Sequence, residues 1–163
     1  GVGGFNSTVR FELKGLPAIS QINVTIEIEG QAVIPSSYVE EPNERINLYR
    51  RLNKAADLVG IDRIAGELKD RFGEPPGPAQ RLLEVARLRL AAASLGADRL
   101  VWKHNVMEWW WPEDRDPARE LLEKVVSKVN LPLEFVSGKR FMVKMALGKD
   151  CDVKALAKLM FKS

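Results

Sequence analysis

The sequence predicts an α+β fold, with a helical first half followed by a β-α-β-β-α half that contains a small, mostly antiparallel sheet. Two observations lead to this prediction. Between residues 43 and 97, apolar residues recur at the three- and four-residue spacing of helices that bury one face. After residue 99, β-branched and aromatic residues cluster in short segments separated by turn residues, which is typical of strands.

The first half begins with a strand and a helix. Residues 24–28 alternate apolar and polar side chains, the pattern of a strand that buries one face. A short apolar run at residues 32–34 follows and leads to Pro35. The first predicted helix comes after Pro42, and we expect Gly60 to end it.

Two further helices complete the first half. Asp62 is the predicted N-cap of the second helix, and Gly73 is its predicted end, because glycine readily adopts the left-handed conformation found there. The predicted buried face of this helix contains Ile64, Leu68 and Phe72. A proline-rich turn precedes the third helix, which is predicted over residues 79–95 and ends at Gly96.

The second half alternates strands and helices. Residues 100–111 predict one or two strands, as in a hairpin, and a helix follows them. Residues 131–136 and 140–145 predict a second hairpin. Asp152 is the predicted N-cap of the last helix.

Composition places the chain among ordinary globular proteins, since 45% of its 163 residues are hydrophobic and 29% are charged. The sequence has no apolar run long enough to span a membrane and no signal peptide at its start. A single cysteine, Cys151, fits a reducing compartment, so we expect a cytoplasmic protein without a membrane partner. We interpret residues 1–23 as a leader or the remnant of a preceding region, and residues 24–163 as the domain proper.

The sequence contains no motif for catalysis or for binding a cofactor or a metal. A nucleotide-hydrolysing site needs a glycine-rich phosphate loop, and the glycines here are scattered singly. Zinc needs several Cys and His residues at short spacing, whereas Cys151 and His104 lie far apart in sequence. A nucleophilic pair of these two residues is formally possible, but a lone cysteine before a helix usually serves packing. We therefore expect a domain without enzymatic activity.

Two features permit a nucleic-acid-binding module as an alternative. Residues 139–163 contain seven basic and two acidic side chains, which could form a basic surface. The run Trp109-Trp110-Trp111 could stack on single-stranded bases. The simpler interpretation is a strand with Trp110 facing the core and its neighbours covering an edge or a partner surface, because acidic rather than basic residues surround the run.

The second predicted helix has a charged flank. At 100° per residue, its inward face lies opposite a flank that gathers the side chains Arg63, Glu67, Asp70 and Arg71. Both Arg63–Glu67 and Glu67–Arg71 have the i,i+4 spacing of helix ion pairs. The residues by themselves are explained by a solvated helix face.

Three ordered motifs resemble the C-terminal domain of bacterial transcription-repair coupling factors. Residues 43–52 read NERINLYRRL, residues 67–76 read ELKDRFGEPP, and residues 82–89 read LLEVARLR. They look like the family's elements R-x-x-x-Y-[KR]-R, E-L-x-D-R-F-G-x-x-P and L-L-x-x-A-R-L-R. Residues 32–39 also resemble the family's short strand before a proline and an aromatic residue. The resemblance covers about residues 24–97, and the triple tryptophan departs from the family pattern.

The resemblance implies a parent protein that is an ATP-dependent DNA translocase. Such a protein binds double-stranded DNA, displaces RNA polymerase stalled at a lesion and recruits the repair ATPase UvrA. ATP and Mg²⁺ would bind in the parent's motor domains, and no cofactor is implied for this domain. The C-terminal domain is implied to be regulatory: it folds against the parent's UvrB-like N-terminal module and masks the surface that binds UvrA.

The resemblance also implies which residues make that contact. The family's polar contacts to the UvrB-like module lie in the second motif, which assigns the role to Glu67, Asp70 and Arg71. Arg63 joins them because it shares their flank of the helix. The expected function is thus autoinhibitory contact within one protein, and nucleic-acid binding by the basic C-terminal surface is the alternative.

Overall fold

The computed structural model describes residues 7–11 and 23–161. This part of the chain forms six strands and five helices. In chain order they are β1 (Ser7–Phe11), β2 (Val24–Ile28), α1 (Pro42–Lys54), α2 (Leu58–Phe72), α3 (Gly77–Leu95), β3 (Arg99–Lys103), β4 (Val106–Trp110), α4 (Arg119–Lys128), β5 (Leu133–Val136), β6 (Met142–Ala146) and α5 (Val153–Met160). The predicted α+β class, with its helical first half, is confirmed.

The strands form one sheet in the order β1-β2-β3-β4-β6-β5. All neighbouring strands are antiparallel except β2 and β3, which are parallel. Parallel neighbours need a long crossover connection, and α1, α2 and α3 supply it between these two strands. The sheet is therefore mostly antiparallel, as the sequence predicted.

Strand β1 belongs to the region that we interpreted as a leader or remnant. It pairs antiparallel with β2, with Val9 opposite Ile26. Residues 7–11 therefore join the sheet of the domain, while residues 1–6 and 12–22 lie outside the described residues. The domain boundary at residue 24 stays a prediction.

The helices cover one face of the sheet. On β4, Met107 and Trp109 are buried on that face, and Trp111 just beyond the strand is also buried. Trp110 lies on the opposite face and is only half-buried. The prediction that Trp110 faces the core was wrong: the strand alternates sides, and its register places Trp109 over the core instead.

The start of α2 also differs from the sequence prediction. Asp57, not Asp62, is the N-cap: its carboxylate accepts a hydrogen bond from the Gly60 backbone N–H at 2.8 Å. Helix α1 ends at Lys54, so Gly60 lies in the first turn of α2 and does not end α1. Asp62 instead accepts a hydrogen bond from the buried side chain of Arg87 at 3.0 Å.

Several predicted boundaries are confirmed. Gly73 ends α2 with a φ of 87°, in the left-handed region, and Gly96 ends α3 in the same way. The Asp152 carboxylate caps α5 by accepting a hydrogen bond from the Ala155 N–H.

Residues 32–34 lie in an irregular segment and not in the short strand that the family pattern suggested. Of the helices in residues 23–161, none is long and apolar enough to cross a membrane.

Candidate contact face on helices α1 and α2

The candidate face is carried by the pair of helices α1 and α2. Leu48 and Leu52 of α1 are buried in the same hydrophobic core as Ile61, Ile64 and Leu68 of α2. This packing fixes the two helices side by side. The polar flank of α2 consequently lies next to polar side chains of α1.

Four side chains form an ion-pair network between the two helices. The Arg51 guanidinium donates two parallel hydrogen bonds to the Glu67 carboxylate, with N–O distances of 2.7 and 2.9 Å. Arg71 donates to Glu67 at 2.9 Å and to Glu44 at 2.6 Å. A bidentate pair of this kind is geometrically specific and stronger than a single ion pair. We call Glu44, Arg51, Glu67 and Arg71 the α1–α2 network.

Glu67 is the centre of the network. Its side chain is 29% exposed, and both arginines that contact it are more exposed than it is. The hydrogen bonds from Arg51 are the main reason that the pKa of Glu67 is lowered to about 2. Partial burial opposes this shift, and the hydrogen bond from Arg71 makes a smaller contribution in the same direction as Arg51. Glu67 is therefore a carboxylate at any physiological pH.

The end of α2 is held by a tyrosine from the preceding segment. The Tyr38 hydroxyl donates towards the carbonyl oxygens of Gly73 at 2.7 Å and Leu68 at 3.1 Å. Its ring meets that of Phe72 edge-on, with ring centroids 5.8 Å apart. The half-buried Phe72 and the helix-ending Gly73 of the second motif thus serve the fold.

The third motif is also largely structural. Arg89 is fully buried and donates to the carbonyl oxygen of Leu52 at 3.2 Å, near the C-terminus of α1. Burial lowers the pKa of Arg89 to about 10. Arg87 binds Asp62 of α2. These two arginines fasten α3 to α1 and α2, so their role is to hold the helical half together.

The four predicted contact residues therefore divide into two pairs. Glu67 and Arg71 belong to the α1–α2 network, and Glu67 pairs with Arg51 rather than with the predicted Arg63. Arg63 and Asp70 are exposed, and within residues 23–161 their side chains make no ion pair or hydrogen bond. Arg51 and Glu44 were not among the predicted contact residues, although both lie within the first motif, residues 43–52.

Cys151 and His104 line one cavity of about 530 Å³ between the β3–β4 turn and the start of α5. His104 lies 3.3 Å from Glu29, and no hydrogen bond links it to Cys151 among the described residues. Burial raises the pKa of the Cys151 thiol, and Asp152 and Glu84 raise it further. A nucleophilic cysteine needs the opposite shift, so the cavity does not favour a nucleophilic role for Cys151.

The features behind the nucleic-acid alternative are distributed over the molecule. Trp109 and Trp111 are buried, which leaves only Trp110 of the three accessible for stacking. Lys154 and Lys158 are exposed on α5, on the helical side of the sheet, whereas Lys144 lies on the open face. Lys162 lies outside the described residues.

Comparison with known proteins identifies the family. The sequence profile of the TRCF domain matches residues 28–121, which is more than half of the chain. The chain belongs to the TRCF domain family. The match includes α1, α2 and α3, and therefore all four residues of the α1–α2 network together with Arg63 and Asp70.

The TRCF domain relatives are transcription-repair-coupling factors. The Escherichia coli protein is 36% identical over 75 residues, which cover 46% of this chain and 6% of that protein. The Haemophilus influenzae protein is 32% identical over 85 residues, covering 52% of this chain and 7% of that protein. The Mycobacterium bovis protein is 38% identical over 74 residues, covering 45% and 6%. The matched part of the chain thus spans less than a tenth of the length of each of these three relatives.

A solved structure shares the fold. The crystal structure of the C-terminal domain of a transcription-repair coupling factor matches with a TM-score of 0.67, covering 83% of this chain and 87% of that one. Sequence identity is 21%, so this likeness supports the fold alone. Because 83% of the chain is covered, the correspondence extends beyond the helical half.

Proposed function

We propose that this chain is the regulatory C-terminal domain of a transcription-repair coupling factor and that it acts by contact with another module of the same protein. The contact surface is the flank of α2 that carries Arg63 and Asp70, supported by the α1–α2 network. In the parent protein this surface packs on the UvrB-like N-terminal module and masks the site that binds UvrA. The parent itself is an ATP-dependent translocase that displaces stalled RNA polymerase from DNA.

The observation that carries this proposal is that the second motif contains both residues that stabilise the domain and an exposed residue that does not. Within the second motif, the structure gives Glu67, Leu68, Arg71, Phe72 and Gly73 roles inside the domain. Asp70 has no such role among the described residues, because it is exposed and makes no ion pair or hydrogen bond there. An exposed charge beside a rigid network is suited to a polar contact that depends on geometry.

The α1–α2 network also supports the proposed contact surface. Arg71 and Glu67 hold each other and α1 in one arrangement, so the charged flank is preorganised before any partner arrives. Preorganisation lowers the entropic cost of binding. A contact of this kind need only be modest in affinity, because the two modules are tethered in one chain.

The test uses a charge reversal that leaves the network intact. Reversing both charges, Arg63→Glu with Asp70→Lys, is expected to change the domain's unfolding free energy by less than about 0.5 kcal/mol, because both side chains are exposed. In the full-length protein it should weaken the contact between the two end modules about tenfold and raise UvrA affinity to the same degree. Affinity for UvrA is measured by calorimetry with the full-length protein.

The matched control is the reversal Asp114→Lys with Arg115→Glu, which changes the same two charges in an exposed turn after β4. It should leave UvrA affinity unchanged. If the α2 reversal also leaves UvrA affinity unchanged while the domain stays folded, the proposed contact surface is wrong.

A nucleic-acid-binding module remains the alternative, but the distribution of its residues supports it less. Its expected signature is DNA binding by this chain that weakens steeply with salt. Replacing Lys154 and Lys158, which are both exposed on α5, with glutamate would then reduce the binding. DNA binding that weakens steeply with salt and is reduced by these two substitutions would favour this alternative over the regulatory contact.

A further inference from the structure

The last strand of the sheet leaves one edge open. Strand β5 stands at the end of the strand order, and among the described residues 7–11 and 23–161 it pairs with β6 alone. Two of its four residues are exposed although they are apolar: Phe135 is 42% exposed and Val136 is 36% exposed. An open strand edge presents unpaired backbone groups to solvent, which can pair with another extended chain.

The pairing of β5 with β6 determines which backbone groups point outward. The Pro132 carbonyl accepts a hydrogen bond from the Ala146 N–H at 3.1 Å, so these two residues form a hydrogen-bonded pair. Antiparallel ladders alternate, and the groups of Glu134 and Val136 consequently face β6. The N–H and C=O groups of Leu133 and Phe135 then point away from the sheet. Residues 23–161 provide no backbone partner for them.

The rows of side chains across the sheet indicate what the next strand should carry. One row on the open face runs Glu108, Lys144, Glu134 in register, with alternating charge. A basic side chain would continue it, because opposite charges on directly facing positions stabilise a strand pair.

The rows that end on Phe135 and Val136 are apolar. Trp109 and Val143 precede Phe135 on the helical face, while Trp110 and Met142 precede Val136 on the open face. Phe135 also stacks on Phe141, with ring centroids 6.2 Å apart, and Phe141 meets the buried Trp111 edge-on at 5.9 Å. This aromatic series runs from the core to the strand edge and ends on an exposed ring.

We propose that the outer edge of β5 binds an extended peptide segment of a partner protein by adding it to the sheet as a seventh strand. The segment places a basic side chain opposite Glu134 and apolar side chains opposite Phe135 and Val136. Backbone hydrogen bonds to Leu133 and Phe135 supply the affinity, and the three side-chain positions supply the specificity. The site is independent of the contact surface on α2.

The experiment uses the 163-residue chain and a fluorescent peptide that copies residues 141–147, whose lysine would lie opposite Glu134 in an antiparallel register. Binding is measured by fluorescence anisotropy. Glu134→Lys should weaken binding of this peptide on the order of fivefold and strengthen binding of the same peptide with glutamate in place of its lysine. Glu134→Gln should weaken binding by an intermediate factor. Because glutamine adds no positive charge opposite Lys144, this variant separates the loss of the carboxylate from repulsion between a new lysine and Lys144. Glu40→Lys, an equal charge change at an exposed position on another part of the domain, should change neither affinity.

Amide hydrogen exchange, followed by NMR, locates the bound peptide. At saturation the amides of Leu133 and Phe135 should exchange at least tenfold more slowly, whereas those of Glu134 and Val136, which already face β6, should change little. Three results would overturn the proposal: no binding at millimolar peptide, equal affinities for the Glu134 and Glu40 variants, or protection confined to other strands. Concentration-dependent self-association that Glu134→Lys abolishes would also overturn it, because the occupant would then be a second copy of this chain.

Discussion

The contribution of Glu67 to the stability of the domain should depend on pH. Its pKa lies at about 2, below the ordinary glutamate value of 4.5, chiefly because Arg51 binds the carboxylate. A group whose folded pKa is depressed stabilises the protein above its unfolded pKa and loses that contribution as pH falls through the folded value. The window for Glu67 therefore extends from about pH 5 down to about pH 2.

The size of the effect follows from the same difference in pKa. The ceiling is about 3 kcal/mol of unfolding free energy. Arg51 and Arg71 are 37% and 45% exposed, so water and salt screen the interaction, and we expect about 1 kcal/mol at neutral pH. The substitution Glu67→Gln keeps the shape of the side chain and removes this charge.

Urea denaturation of the two proteins at pH 7 and at pH 2.5 measures the prediction. Glu67→Gln should destabilise the domain by about 1 kcal/mol at pH 7 and by much less at pH 2.5, where much of the carboxylate's advantage has been lost. Asp70→Asn is the matched control, because Asp70 is exposed on the same helix without an ion pair among the described residues. A difference between wild type and Glu67→Gln that is the same at both pH values would refute the reasoning.

Two further predictions concern the fold. Gly73→Ala should destabilise the domain by about 1 kcal/mol because φ is 87° there. Gly66→Ala lies inside α2 with open space around the new methyl group, so it should stabilise the domain by about 0.5–1 kcal/mol. Thermal unfolding measures both substitutions, and equal effects would contradict the assigned end of α2. Trp109→Ala should lower the free energy of unfolding by about 3–5 kcal/mol because the side chain is fully buried, and Trp110→Ala should lower it clearly less. The reverse order in urea denaturation would mean that β4 presents its other face to the helices.

The sequence predicted those features that depend on local pattern. The alternation of residues 24–28 and the helical spacing of residues 43–97 follow from which side chains must be buried, and the structure confirms both. Gly73 and Asp152 were identifiable as helix boundaries because the cap needs a particular residue type. The same local logic failed for α2, since Asp57 and Asp62 are equally suitable caps and tertiary packing assigns Asp62 to Arg87.

The candidate site was predictable only in part. Helical geometry placed Arg63, Glu67, Asp70 and Arg71 on one flank, which α2 confirms by its regular helix over these residues. Which of them are engaged within the domain depends on α1, whose Arg51 and Glu44 reach Glu67 and Arg71 from 16 and 27 residues away. Their role in contact with a partner stays a prediction.

The sequence by itself determined the fold class, the order of the helices and strands from residue 24 onward, and the family motifs. Only the tertiary structure decided that Trp109 faces the core, that residues 7–11 join the sheet and that β5 forms an open edge. The physical reason is that hydrophobic period, caps and turn residues act between near neighbours in the chain. Strand order, register and ion pairs between helices instead join residues that are remote in sequence, and a single sequence carries no direct signal of which remote residues meet.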